Sequence, residues 1–396
     1  MTRLPRLSRL LIAAASLIAQ CAVSGLACAG TVPEGLPERD AAAMTRMAER
    51  ISEVARSARL VTVGAALIRD GRLVWTGYFG EEAPGVAAGP DTRFNVASVT
   101  KLVATQTVLR LVGDGRLSLD SPMAPYWVDP DVADDPRHRQ LTARMALTHT
   151  SGFPNWRFFL PGGKLRFLHD PGSRYGYSGE GIEYVARYAE AKLGVPFPDL
   201  VDAQVFGPAG IDDARLRIDR KAPAHVARPV DEDGKFHGYF CRPGGWCREH
   251  GSYSAADDLV ISVPDFARFL IALMDHRGYG DALTLDRDRV QAFRGEDSIV
   301  RCVPSNPGAC PKAQGYGLGV EVLDYGDSRV IGHGGSDWSE MSLAYAYLPS
   351  RDGVILFVNA PNRFALEAMP RLIEALDPAS PYLAKYREWA SPEHAR

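Results

Sequence analysis

Ser98 and Lys101 stand three residues apart in the run Asn95-Val96-Ala97-Ser98-Val99-Thr100-Lys101. On a helix, residues three apart share a face, so the lysine amine can reach the serine hydroxyl. A serine hydroxyl is a weak nucleophile until a neighbouring base takes its proton. A lysine partly desolvated at a helix start can be that base, or can lower the pKa of a third group. The start of a helix also offers free N–H groups and partial positive charge, which suit an oxyanion. Alone, the spacing is weak evidence, because a surface lysine on an ordinary helix matches it equally well.

Two further clusters carry chemistry. Tyr177-Ser178-Gly179 follows Asp170-Pro171-Gly172 closely. A tyrosine can shuttle the serine proton if cations beside it hold its hydroxyl ionised; the ordinary alternative is a half-buried ring with a satisfied hydroxyl. His333-Gly334-Gly335-Ser336 lies at a predicted strand. Paired glycines there let a substrate approach the backbone closely, although a tight turn with an incidental histidine would read the same way.

The elements that must position these residues follow from periodicity. Arg39 to Arg59 is amphipathic, with Met44, Met47, Ile51 and Val54 at helical spacing. Leu60 to Tyr78 reads as a hairpin around Arg69-Asp70-Gly71. A helix is expected from Ala97 or Ser98, with Val99, Leu102, Val103 and Leu111 on its apolar face and Gly113 and Gly115 at its end. From about 115 to 310, helical stretches such as Gly181–Lys192 and Pro264–Met274 alternate with polar loops. Strand patterns return at Gly317–Val322, Ser328–Gly332, Glu340–Leu348 and Gly353–Val358, followed by a helix over Phe364–Leu376. Strands at both ends with helices between them predict an α/β (α+β) fold: one antiparallel sheet, from about 60–80 and 315–360, flanked by helices with an inserted helical region.

The chain has 396 residues, enough for a large core. It is 46% hydrophobic and 23% charged, an ordinary globular composition. Its net charge is −3 with both signs interspersed, which argues against a nucleic-acid partner. No tandem repeat or low-complexity tract is visible. Arg3, Arg6 and Arg9, the apolar run Leu10 to Ala19 and the small residues of Ala27-Cys28-Ala29 make a secretory leader, expected to be cut after Ala29. The remaining residues, 30–396, are expected to form one domain in the periplasm or outside the cell. A retained membrane helix is disfavoured because the apolar run is short. A lipoprotein site at Cys28 fits poorly because the leucine stands one place too late. Cys241, Cys247, Cys302 and Cys310 remain. They form two close pairs, and in an oxidising compartment two local disulfides are the simplest reading, with the pairing itself left open. Zinc is the rival, but the pairs lack the two-residue spacing of zinc ribbons. Neither a phosphate-cradling glycine loop nor a His-Glu-x-x-His motif is present, so no metal or organic cofactor is expected.

Taken in order, Ser-x-x-Lys, Tyr-x-x and His-Gly-Gly resemble the serine β-lactamase and penicillin-binding protein superfamily, particularly the branch of class C β-lactamases, D-peptidases and related esterases. The likeness extends over roughly 45–375. It includes Phe94 to Lys101, Gly115-Arg116-Leu117-Ser118-Leu119-Asp120-Ser121-Pro122, Met145-Ala146-Leu147-Thr148-His149-Thr150-Ser151-Gly152-Phe153 and Asp170 to Ser178. The resemblance implies a β-lactamase/transpeptidase-like fold. It implies that Ser98 is acylated, that Lys101 keeps Ser98 and Tyr177 poised, and that Tyr177 is general base towards Ser98 and later towards water. His333 would stand where relatives carry lysine or histidine. The backbone N–H groups of Ser98 and Ser336 would form the oxyanion hole. His149 is assigned to a buried turn that supports the site.

Two departures from the family pattern bear on substrate. Tyr-x-Asn ends here in Gly179, which removes a donor and acceptor for an acylated amino group. His333-Gly334-Gly335 replaces Lys-Thr-Gly, and a histidine can lose its charge near neutral pH. Both lean towards a small-molecule ester, amide or D-peptide bond and away from efficient action on penicillins. The alternatives are a β-lactamase or cell-wall D,D-peptidase on the same scaffold, and a penicillin-binding or sensor-like protein without turnover. From position alone, Trp156, Phe158, Tyr239 and Phe240 are candidate cleft aromatics.

Overall fold

The computed structural model describes residues 28–31, 38–220, 224–295, 298–301 and 310–391. Its strands are β1 (Cys28–Thr31), β2 (Thr62–Arg69), β3 (Arg72–Ala83), β4 (Val86–Ala87), β5 (Arg93–Asn95), β6 (Val260–Ser262), β7 (Ala313–Tyr316), β8 (Glu321–Asp324), β9 (Arg329–Ser336), β10 (Glu340–Leu348) and β11 (Asp352–Asn359). Its α-helices are α1 (Glu38–Ser57), α2 (Thr100–Gly113), α3 (Ala143–Leu147), α4 (Gly179–Leu193), α5 (Phe197–Val201), α6 (Gly207–Ala209), α7 (Val263–Met274), α8 (Asp281–Asp288), α9 (Asn362–Leu376) and α10 (Leu383–Trp389).

The main sheet runs β1-β3-β2-β11-β10-β9-β8-β7, every pair antiparallel. The hairpin near the start of the chain joins the hairpins near its end through β2 and β11, with Ala65 opposite Leu356. Strand β2 is buried along Thr62 to Ile68, so both of its faces are covered. Successive side chains point to opposite faces. Val63, Ala65 and Leu67 pack with α1, α9 and α10, while Ala66 and Ile68 pack with α2 and α7. Gly64 faces this second layer: a Cβ there would lie 2.7 Å from both Phe94 and Val263. The helical insertion sits on the same side, and the reactive residues lie where it meets the sheet.

Several expectations shift at boundaries. The strand expected over Gly317–Val322 starts only at Glu321 in β8, and Gly317–Val320 is a tight turn between β7 and β8. Gly317 N–H donates to Val320 O at 2.8 Å, and Gly319 adopts φ +65°, a region glycine enters freely. Buried Leu318 and Val320 supplied the strand-like pattern. The short β5–β6 pair joins the segment before Ser98 to the middle of the chain and had no sequence signal. Residues 1–27 of the segment expected to be a leader lie outside the described residues, and Cys28–Thr31 pairs with β3. Among the described residues, no helix is long and apolar enough to cross a membrane. Cys241 and Cys247 are disulfide-bonded. Cys302 lies outside the described residues, so only the first of the two expected pairs is described.

Candidate active site

The α-helix starts two or three residues later than the sequence suggests. Ala97–Val99 form a single 3-10 turn, and α2 begins at Thr100. Ala97 sits at φ +44°, in the left-handed region that a side chain rarely adopts. The turn is held from outside: Asn95 Oδ1 accepts Ala97 N–H at 2.9 Å, and Val96 O accepts the Ser342 hydroxyl from β10 at 2.6 Å. These bonds set Ser98 at the cleft floor.

Lys101 is fully buried beneath it. Its Nζ donates to Ser98 Oγ at 2.8 Å and to Ala256 O at 2.8 Å. Burial lowers the Lys101 pKa to about 8, and the negative charges of Asp257, Glu183 and Asp258 oppose that shift. An amine so placed has a substantial neutral fraction near physiological pH and is aimed at the serine proton.

The Tyr177 hydroxyl is hydrogen-bonded to Ser98, and its ring lies 5.1 Å from Lys101 Nζ. Burial outweighs this company and pushes the phenol pKa well up. Burial therefore favours the protonated phenol in the resting site over the ionised form that a proton shuttle through Tyr177 would use. His149, at φ +55°, packs tilted against the Tyr177 ring at 4.4 Å, and its Nδ1 accepts Ser178 N–H at 3.1 Å. Burial, with Lys101 charge second, holds its pKa well below normal. It acts as a neutral acceptor that fixes the turn. Ser178 Oγ then caps α4 by accepting Gly181 N–H at 2.9 Å while donating to Pro154 O at 2.7 Å.

Strand β9 forms the opposite wall. His333 is buried, and burial holds its pKa at about 4, partly offset by Glu321. It is neutral at pH 7. Its Nδ1 faces Gly334 O and must donate to that carbonyl, so Nε2 is an acceptor. Gly335 passes directly against the nucleophile: a Cβ there would lie 2.9 Å from Ser98 N and 2.6 Å from Val96 O. Glycine thus lets β9 approach the Ser98 amide, with Ser336 next along the strand.

Gly179 admits an aromatic ring instead. A Cβ there would lie 2.7 Å from the Trp156 indole, so the space beyond Tyr177 and Ser178 is filled by Trp156. Trp156 stacks on Phe158 at 5.6 Å. Their loop is tied down by Arg157, which reaches Asp129 at 2.7 Å, Asp131 at 3.0 Å and Glu180 of α4 at 2.8 Å.

These groups open onto one cleft of about 470 Å³, lined by Ser98, Tyr177, Trp156, Phe158, His333 and Ser336 among others. Tyr239 and Phe240 are not on it. Tyr239 packs on Phe236 at 5.1 Å, away from the cleft, because the disulfide loop turns there with Phe240 at φ +57°. The sequence reading missed Asn155, whose Oδ1 accepts Gly179 N–H at 3.0 Å, and the cleft residues Arg242, Asp257 and Trp389. No motif marks them, since they arrive from loops and a terminal helix. Among the described residues, no cluster of His, Cys, Asp or Glu suits a metal ion.

The family model for Beta-lactamase matches residues 45–376. This chain belongs to that family. The β-lactamase family relatives include a lovastatin esterase of Penicillium rubens, 30% identical over 61% of this chain and 73% of its own. Esterase EstB of Burkholderia gladioli is 30% identical over 44% of this chain and 52% of its own. A D-aminopeptidase of Cereibacter sphaeroides is 26% identical over 56% of this chain and 39% of its own. The octameric penicillin-binding protein homologue of Pyrococcus abyssi has the same fold, with a TM-score of 0.65 at 19% identity over 87% of this chain and 80% of its own. The protein is a serine hydrolase of the β-lactamase-related kind.

Proposed function

We propose that this β-lactamase family member hydrolyses a small-molecule ester, amide or D-peptide bond through an acyl-enzyme on Ser98. The observation that carries the reading is the buried Lys101 amine 2.8 Å from Ser98 Oγ. Neutral Lys101 takes the Ser98 proton as Oγ attacks the carbonyl carbon. The backbone N–H groups of Ser98 and Ser336 receive the developing oxyanion. Tyr177, still protonated, donates to the leaving group, and Lys101 returns a proton to it. Water then attacks the acyl carbon by the same route in reverse order.

The esterase names among the relatives support ester hydrolysis. Trp156 in the space beyond Gly179, and a His333 held neutral, both weaken the grip on a penicillin. The disulfide supports export to an oxidising compartment, with the leader removed.

The test is hydrolysis of p-nitrophenyl acetate by the protein beside its Ser98→Ala variant. Steady turnover that falls by about a thousandfold or more in the variant is expected. Equal rates in both proteins would end the Ser98 reading. A burst without turnover would indicate a sensor that acylates once.

A further inference from the structure

Asp257 is buried to 6% exposure, yet it lines the catalytic cleft with Ser98 and Tyr177. Among the described residues no hydrogen bond reaches its carboxylate. Its ion-pair partner is Arg248, at 3.6 Å, and that guanidinium is held more closely by Asp258. The preceding residue, Ala256, offers its carbonyl to Lys101, which places Asp257 beside the nucleophile. Lys101, Arg242 and Arg248 face the carboxyl groups of Glu183, Asp257, Asp258, Asp337 and Glu340. Arg242 is engaged by Asp337 at 2.6 Å.

The opposite wall fits the same partner. His333 Nε2 is buried, has no partner among the described residues and is an acceptor, because Nδ1 donates to Gly334 O. A cleft built to hold a carboxylate would present free donors here. This one presents the Asp257 carboxylate, and the His333 imidazole offers no free donor.

We propose that Asp257 is a binding point for a cationic nitrogen, so that the cleft selects an acyl group carrying a protonated amine close to the scissile carbonyl. The inference rests on the serine-hydrolase reading and names the substrate class of that site. The amine keeps its protons throughout, and the bonds made and broken remain those of acyl transfer. Placing the ammonium against a buried carboxylate whose ion pair is 3.6 Å long favours it over a neutral isostere, because the neutral substrate leaves that charge weakly paired.

The experiment compares glycine methyl ester with N-acetylglycine methyl ester, each rate divided by its hydroxide-catalysed rate. Hydrolysis of p-nitrophenyl acetate by the same preparation reports the serine machinery separately. Wild-type protein is expected to favour the free amine by about tenfold or more in corrected kcat/KM. In Asp257→Asn that ratio should fall towards one whatever the absolute rates, and Asp257→Glu should restore part of it. A corrected wild-type ratio of one or below overturns the proposal without any variant. It is also overturned if neither glycine ester is cleaved while p-nitrophenyl acetate is, or if Asp257→Asn slows both esters equally.

Discussion

A buried lysine near a carboxylate cluster makes the reaction's pH dependence readable from single residues. Only neutral Lys101 can accept the Ser98 proton, and its pKa is about 8. kcat/KM on a neutral ester should therefore rise with pH, close to tenfold per unit below 8, and level off above it. Asp257, whose pKa burial raises to about 6, gains a proton at lower pH and removes negative charge facing Lys101. The rise should consequently be shallower below 6. His333 is already neutral above about 4 and adds no limb in this range. A profile that is flat from pH 6.5 to 9 would remove Lys101 as the base. The Gly179 position invites a second test. Gly179→Asn puts a side chain where Trp156 lies, so alone it should slow ester hydrolysis and lower the melting temperature. Adding Trp156→Ala should recover part of both losses. Additive losses in that double-mutant cycle would show that the two residues do not share the space.

At the scale of elements, catalysis depends on how closely β9 runs beside the turn that carries Ser98. Gly335→Ala forces the strand away from Val96 O and Ser98 N. The expected result is a loss of about a hundredfold in kcat with an unchanged circular dichroism spectrum. A change under twofold would mean that β9 does not set the Ser98 amide. The same elements explain what could be read in advance. Ser98, Lys101, Tyr177, His333 and Gly335 were legible because each sits in a short local motif, an i,i+3 spacing, a capped helix start or a strand without side-chain bulk, and the motifs occur together in the family's order. Strands such as Glu340–Leu348 were legible because a buried strand writes its pattern into consecutive residues. Asp257, Asn155 and Arg242 were not, since each matters only through a tertiary neighbour on another loop. The turn at Gly317 misled because its apolar residues are buried for reasons of packing and not of pairing.

Across the whole molecule, the Cys241–Cys247 link organises more than its own loop. Each cysteine is followed by an arginine. Arg242 reaches Asp337 at the end of the β9 wall, and Arg248 reaches Asp257 and Asp258 behind Lys101. Replacing both cysteines by serine should cost about 2 kcal/mol of stability. It should also lower kcat/KM severalfold, and dithiothreitol should do the same to the wild-type protein. Full activity in the serine variant, with only the melting temperature reduced, would confine the link to a stabilising role.

The partnership of β2 with β11 has a consequence for how the chain comes into being. Strand β2 (Thr62–Arg69) leaves the ribosome well before β11 (Asp352–Asn359), the strand that covers its second edge. Throughout synthesis that edge stays open, carrying the apolar stretch Val63 to Ile68 with unpaired backbone groups along it. The nascent chain must therefore be kept from sticking to its neighbours until the β10–β11 hairpin arrives, and a ribosome stalled before residue 352 would release a product with an adhesive seam where the folded sheet has its centre.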